Sequence, residues 1–229
     1  MVTLDLLRSL AIVLMVIYHF IYDLRTFGYY ETTIPQGPEW KLFRSVILAL
    51  FIGCVGAGLV LAHGRRLSVK KYLRRLVEIG LGAAAVTVVS VQMYPQNWIH
   101  FGILHFIVIA SLVVTPLLRR PWLAAAAGAA VLIASLAGWV GTWWPFNYLQ
   151  RWVPSYSVDY VPLFPWLAAA FFGVALAHTA AFRRDPLAGI PHAAWLARPG
   201  QHGLIIYLLH QPVLFALLWL AGQVLPLRS

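Results

Sequence analysis

The stretch that runs from Leu4 to Tyr22 reads LDLLRSLAIVLMVIYHFIY, and it decides the class to which this protein belongs. A bilayer core about 30 Å thick is crossed by roughly 20 apolar residues in an α-helix. The composition agrees, because 61% of the 229 residues are hydrophobic, 10% are charged and the mean hydropathy is +0.78. A soluble domain carries about 25% charged residues. The sequence therefore predicts an integral membrane protein and excludes a soluble globule, a disordered tail and a nucleic-acid-binding module.

Further apolar stretches of similar length follow along the whole chain. They predict an all-α, polytopic membrane helix bundle of about seven transmembrane helices, forming a single transmembrane domain over residues 1–229. The predicted helices are Leu4–Tyr22, Leu42–Ala62, Leu76–Met93, Trp98–Leu118, Trp122–Gly141, Pro162–Ala181 and Gly203–Leu225.

The basic residues predict the orientation of these helices. The chain has 17 Lys and Arg residues against 7 Asp and Glu, which gives a net charge of +10. Cytoplasmic loops of membrane proteins carry an excess of Lys and Arg. With a cytoplasmic N-terminus, twelve of the 17 fall in cytoplasmic segments, and five, among them Arg228, fall outside. We therefore expect the N-terminus in the cytoplasm and the lipid bilayer as the main partner.

Ionisable residues inside a membrane span are costly, and each is therefore a candidate for function. His19 lies near the outer end of the first helix, and Asp23 follows at i+4 on the same face. A carboxylate at that spacing can accept a hydrogen bond from the imidazole, orient the ring and raise its basicity. General base catalysis requires such a histidine.

Other polar residues are predicted in the outer half of the membrane or deeper. His100 and His105 begin the fourth predicted helix, where His105 is expected about 9 Å below its outer end. Asp159 precedes the sixth helix, and His210 lies in the seventh. We expect these groups to converge with His19 on one polar hollow near the outer leaflet. The alternative is that each histidine only packs against a neighbouring carbonyl.

Residues 63–75 read HGRRLSVKKYLRR and form a strongly basic segment on the predicted cytoplasmic side. Such a segment sets membrane topology and contacts anionic lipids. It would also suit the phosphates of a cofactor such as coenzyme A, since Arg and Lys bind phosphates well. Its six cations are Arg65, Arg66, Lys70, Lys71, Arg74 and Arg75. No metal-binding motif such as HExxH occurs, and no metal is expected.

Four segments carry a resemblance to a known family. The opening Leu4–Phe20 is followed by WIHFGILH at Trp98–His105, DYVPLFPW at Asp159–Trp166 and GLIIYLLHQP at Gly203–Pro212. Together they resemble the heparan-alpha-glucosaminide N-acetyltransferase catalytic family, above all its short bacterial members. The resemblance implies a multi-pass protein of the bacterial inner membrane. It further implies transfer of an acyl group, acetyl in this family, from cytoplasmic acyl-CoA to an extracytoplasmic amine or hydroxyl such as that of an envelope sugar.

The resemblance also suggests roles for individual residues. In the animal enzyme of this family the catalytic histidine lies in the extracytoplasmic loop after the first helix, and the corresponding stretch here, Leu24–Trp40, contains no histidine. His19 would then act as general base or carry the acyl group. Asp23 would orient His19, while His105, His210 and Asp159 would line the pathway or polarise the acyl carbonyl. The basic segment and Arg8, itself held by Asp5, would contact the phosphates of the coenzyme.

The sequence leaves two other functions open. A non-enzymatic small transporter or lipid-binding membrane protein would use His19, Asp23 and His105 as a proton relay. A haem or quinone protein would need His105 and His210 to face each other at similar depth. The expected acceptor is a small molecule or a glycan, with no nucleic-acid partner, and the sequence leaves a homo-oligomer open.

Overall fold

The computed structural model describes residues 1–149 and 151–224, which are largely helical and contain no strand. Helix makes up 69% of the structure. The helices are α1 (Val2–Thr26), α2 (Pro38–His63), α3 (Val69–Met93), α4 (Ile103–Val114), α5 (Pro121–Leu136), α6 (Leu167–Leu176), α7 (Ala180–Arg183), α8 (Ala193–Leu196), α9 (Arg198–Gln201) and α10 (Gly203–Val224).

Apolar helices occupy all seven predicted positions, so the predicted class, an all-α membrane helix bundle, is confirmed. Among the described residues α1, α2, α3 and α10 are long and apolar enough to cross a membrane, and α4, α5 and α6 are shorter apolar helices. Two predicted positions, Leu225 and Arg228, lie outside the described residues. The cytoplasmic N-terminus stays a prediction.

Three helices begin five residues or more after or before the predicted start, for identifiable reasons. Helix α3 begins at Val69 rather than Leu76, because the basic residues before Leu76 continue the helix although they are not apolar. Helix α4 begins at Ile103 rather than Trp98, since Gly102 takes an extended conformation immediately before it. Helix α6 begins only at Leu167, after a stretch with two prolines that cannot continue a helix.

The chain divides into two compact units, and its description as a single domain stays a prediction. Unit 1 comprises residues 1–51 and those from 187 onward, and unit 2 comprises residues 52–186. In unit 1, α1 packs against α8, α9 and α10. The N–H of Gly200 donates to Oγ of Ser9 at 2.8 Å, and a Cβ on Gly200 would overlap the carbonyl oxygen of Asp5. The buried core of unit 1 includes Met15, Tyr18, Ile34 and Ile47.

Unit 2 is organised around α6, which packs against α4 and α5, while α3 packs against α4. The end of α2 that belongs to this unit also contacts α6. A Cβ on Gly56 would overlap the carbonyl oxygen of Ala170, and one on Gly173 would overlap that of Gly53. Small residues are favoured at such places because they let the backbones of membrane helices approach closely.

Candidate active site

The first group of candidate residues lies in unit 1, where α1 and α10 bring two histidines together. The ring centroids of His19 and His210 are 4.9 Å apart, and the rings are inclined at 60°. We call these two residues the histidine pair. Nδ1 of His210 donates to the carbonyl oxygen of Tyr207 at 2.5 Å, one turn earlier in α10. Since a carbonyl can only accept, Nδ1 carries a hydrogen, so in the neutral form of the ring Nε2 is the acceptor nitrogen.

Asp23 lies in the last turn of α1 and is fully buried. Its Oδ1 accepts a hydrogen bond from Nε2 of Gln211 at 2.8 Å. The expected hydrogen bond between Asp23 and His19 is therefore wrong: the carboxylate is held by the amide of α10 rather than by the ring on its own helix. Oδ2 of Asp23 and Oε1 of Gln211 are also buried, and neither has a hydrogen-bond partner among residues 1–149 and 151–224.

The second group lies in unit 2, where the side chain of His105 caps the N-terminus of α4. Nδ1 of His105 accepts from the N–H of Gly102 at 3.3 Å, and Nε2 lies 3.2 Å from Oγ1 of Thr87. The Thr87 hydroxyl donates to the carbonyl of Ile99 at 2.8 Å, so it accepts from Nε2 of His105. Both ring nitrogens are thus used in holding the structure. The expected depth of 9 Å is wrong, because His105 is the third residue of the helix.

Asp159 lies beside the same helix start. Two backbone hydrogen bonds join its loop to the loop before α4, from Val158 N–H to Asn97 and from Val161 N–H to Phe101, each 3.1 Å long. A Cβ on Gly102 would lie 3.6 Å from Oδ2 of Asp159. Within unit 2 the fold therefore brings Asp159 close to the start of α4.

His100 sits in the loop before α4, among aromatic rings. The ring centroids of Trp98, Trp143 and Tyr160 lie 5.9, 5.8 and 5.4 Å from that of His100. Burial lowers the pKa of His100 below its usual 6.5. Burial likewise raises the pKa of Tyr160 to about 12, and its hydroxyl donates to the carbonyl of Thr142 at 2.8 Å. His100 thus belongs to an aromatic cluster, and burial favours its neutral form.

The basic segment runs from the last residue of α2 through the following loop into the first turns of α3, in unit 2. All six of its cations are exposed. Arg119 holds its loop by donating to the carbonyls of Gly64 and Arg65, at 3.0 and 2.5 Å. Arg74 pairs with Glu78 at 2.8 Å. The segment is thus a fixed, solvent-facing positive surface beside a helix N-terminus, a place that favours phosphate groups.

Asp5 and Arg8, the other predicted coenzyme contacts, lie in unit 1. Nη1 of Arg8 is 3.3 Å from Oδ1 of Asp5, and both side chains are partly buried. The predicted pairing is confirmed, while the contact of Arg8 with a coenzyme stays a prediction. The convergence of all candidate residues on one hollow also stays a prediction.

Sequence reasoning missed four residues that shape these groups: Gln211, Tyr207, Thr87 and Arg119. Gln211 and Tyr207 stood inside the quoted GLIIYLLHQP segment, so their place beside His210 was a usable signal. Thr87 and Arg119 act through backbone carbonyls distant in sequence, and no local pattern indicates such contacts.

Comparison with known proteins adds one match. Residues 1–212 of the 229 match the family model described as heparan-alpha-glucosaminide N-acetyltransferase, catalytic. No curated protein and no solved structure matches the chain significantly. The family match covers all four segments that carry the resemblance, and it extends over both compact units. The chain therefore belongs to the heparan-alpha-glucosaminide N-acetyltransferase catalytic family, a family of transmembrane acetyltransferases.

Proposed function

We propose that this protein transfers an acetyl group from acyl-CoA, which arrives from the cytoplasm, to an amine or hydroxyl on the outer side of the bacterial inner membrane. A small molecule or an envelope glycan serves as acceptor. The observation that carries the proposal is the histidine pair of unit 1, within a chain whose family consists of acetyltransferases.

His19 acts as the general base in this proposal. It takes the proton of the acceptor as the acceptor attacks the thioester carbonyl, the carbon–sulfur bond breaks, and the coenzyme leaves as a thiol after taking up a proton. The hydrogen bond from His210 to Tyr207 supports this assignment, because it fixes the tautomer of the second ring beside His19. An acyl-histidine intermediate on His19 would use the same pair.

Coenzyme recognition is assigned to the basic segment. The charge of its exposed cations and the N-terminus of α3 both attract phosphate oxygens. Replacing Lys70 and Lys71 by Gln should weaken acetyl-CoA binding and flatten its dependence on salt, since surface charges are screened by ions. Binding measured in detergent between low and high salt tests this, with Arg151→Gln in the outer loop as the control. Unchanged binding in the double variant would contradict the assignment.

The test of the proposed function compares His19→Ala with His202→Ala, an exposed histidine at the start of α10. We expect His19→Ala to lower transfer of labelled acetyl by about 100- to 10,000-fold, the range of general base catalysis. His202→Ala should leave the rate unchanged. Full activity of a folded His19→Ala protein would remove the mechanism. A proton flux without any acyl-CoA dependence would instead favour a transporter.

A further inference from the structure

The Asp23–Gln211 pair of unit 1 presents two buried oxygen atoms to which no described residue donates. The amide of Gln211 binds one carboxylate oxygen of Asp23 at 2.8 Å, and Asp23 is fully buried. The second carboxylate oxygen and the amide oxygen of Gln211 are buried without a hydrogen-bond partner in residues 1–149 and 151–224. Buried acceptors of this kind are costly unless a donor satisfies them. Two neighbouring buried acceptor oxygens suit a ligand group that donates several hydrogen bonds.

The position of this pair relates it to the histidines of the same unit. Asp23 follows His19 by one turn of α1, and Gln211 follows His210 directly in α10. The two helices that supply the histidine pair therefore supply the unsatisfied oxygens as well. A cationic group bound by Asp23 would therefore be held by the same two helices that carry the histidine pair.

We propose that Asp23 and Gln211 bind the ammonium group of an amine acceptor, and that Asp23 removes its first proton. This inference rests on the proposed acetyl transfer, to which it adds two residues and a role. Asp23 contacts the acceptor and is a catalytic residue in this sense. Gln211 is a positioning residue, because its amide fixes one carboxylate oxygen while its own oxygen gives a second acceptor.

An amine acceptor needs a carboxylate such as Asp23 because it must lose two protons during acetyl transfer. An ammonium nitrogen has no lone pair, so one proton must leave before it can attack the thioester. Asp23 takes that proton and becomes a carboxylic acid. The neutral amine then forms the carbon–nitrogen bond, its second proton passes to His19, and the carbon–sulfur bond breaks to release the coenzyme, which leaves as a thiol with that proton. The proton on Asp23 is the one released to solvent in the overall reaction.

A hydroxyl acceptor loses fewer protons than a protonated amine. It has a lone pair from the outset and loses only one proton, for which His19 suffices. The carboxylate of Asp23 therefore has a purpose only when the acceptor arrives as a cation. This difference makes the role of Asp23 separable from that of the histidine pair.

The experiment measures binding and transfer with two matched probes, glucosamine, which is cationic at pH 7, and glucose, which has a hydroxyl in place of the amine. We expect the intact protein in detergent to prefer glucosamine in calorimetric binding. Asp23→Asn, which keeps the shape and removes the charge, should abolish that preference and lower acetyl transfer to glucosamine by about 100-fold or more. Gln211→Leu should lower both the preference for glucosamine and the rate of acetyl transfer to it, by a smaller factor.

Each outcome decides a separate point. An Asp23→Asn protein that still prefers glucosamine over glucose overturns the inference, as does an intact protein without that preference. If the preference is present but no acetyl is transferred to any acceptor, the proposed function fails while the ammonium site stands. Should Asp23→Asn fail to fold, as judged by its melting curve, Gln211→Leu decides: an unchanged preference in that variant overturns the inference.

Discussion

Replacing His105 by Ala should cost stability and leave catalysis intact. The substitution removes two hydrogen bonds, one from the N–H of Gly102 and one to the hydroxyl of Thr87. At about 1 kcal/mol for each bond, the free energy of unfolding falls by about 2 kcal/mol. In a chain of 229 residues each kcal/mol corresponds to roughly 2–4 °C, so the melting temperature should drop by about 4–8 °C.

The assay is thermal unfolding in detergent, followed by the fluorescence of the 10 tryptophans, with acetyl transfer measured on the same samples. His105→Asn is the matched control, because its amide oxygen can still accept from Gly102 while the bond to Thr87 is lost. It should show about half of the decrease in melting temperature expected from two equal bonds. A His105→Ala protein with an unchanged melting temperature and no transfer would refute the structural role and return His105 to the catalytic candidates.

Three further predictions concern packing, the basic segment and pH. Gly173→Ala should destabilise by about 1–3 kcal/mol, because the new Cβ meets the α2 backbone, whereas Gly80→Ala, with open space around it, should not; melting curves of both decide. Arg119→Ala should release the loop of the basic segment, and limited trypsin digestion should then cut there faster than in the intact protein, an equal rate being the contrary result. Because burial lowers the pKa of His100, its neutral form is favoured by folding, so its contribution to stability is present above pH 6.5 and falls as the pH drops below that value. His100→Asn should flatten the decrease in melting temperature between pH 7 and pH 5, and an identical slope would contradict this.

The fold class follows from the sequence because hydropathy alone requires membrane helices. Their ends do not follow, since apolar runs mark the part of a helix that suits lipid and not the part that is helical. Helix α3 shows this at its basic start, where residues from Val69 onward are helical yet strongly charged. At α4 the predicted helix is too long rather than too short, because the apolar residues before Gly102 form a loop although their hydropathy is that of a membrane helix.

In the candidate site, too, local spacing was predictable from the sequence and tertiary contacts were not. Sequence spacing placed His19 and Asp23 on one face, and the position of His210 inside a predicted membrane span added that residue, but the predicted partner of Asp23 was wrong. That partner depends on which face of α10 meets α1, a tertiary contact that links residues 188 positions apart. The satisfied nitrogens of His105 were equally hidden, because they depend on a hydroxyl and an N–H from outside its own helix turn.

The histidine pair is tested most directly by a double-mutant cycle on acetyl transfer, with His19→Ala, His210→Ala and the double variant measured at one acetyl-CoA concentration. Residues that act as a unit in catalysis give strongly non-additive losses. We predict that each single variant loses most of the activity and that the double variant is no more than a few-fold worse than the poorer single one. Losses that simply multiply, or wild-type transfer in either single variant, would contradict the account.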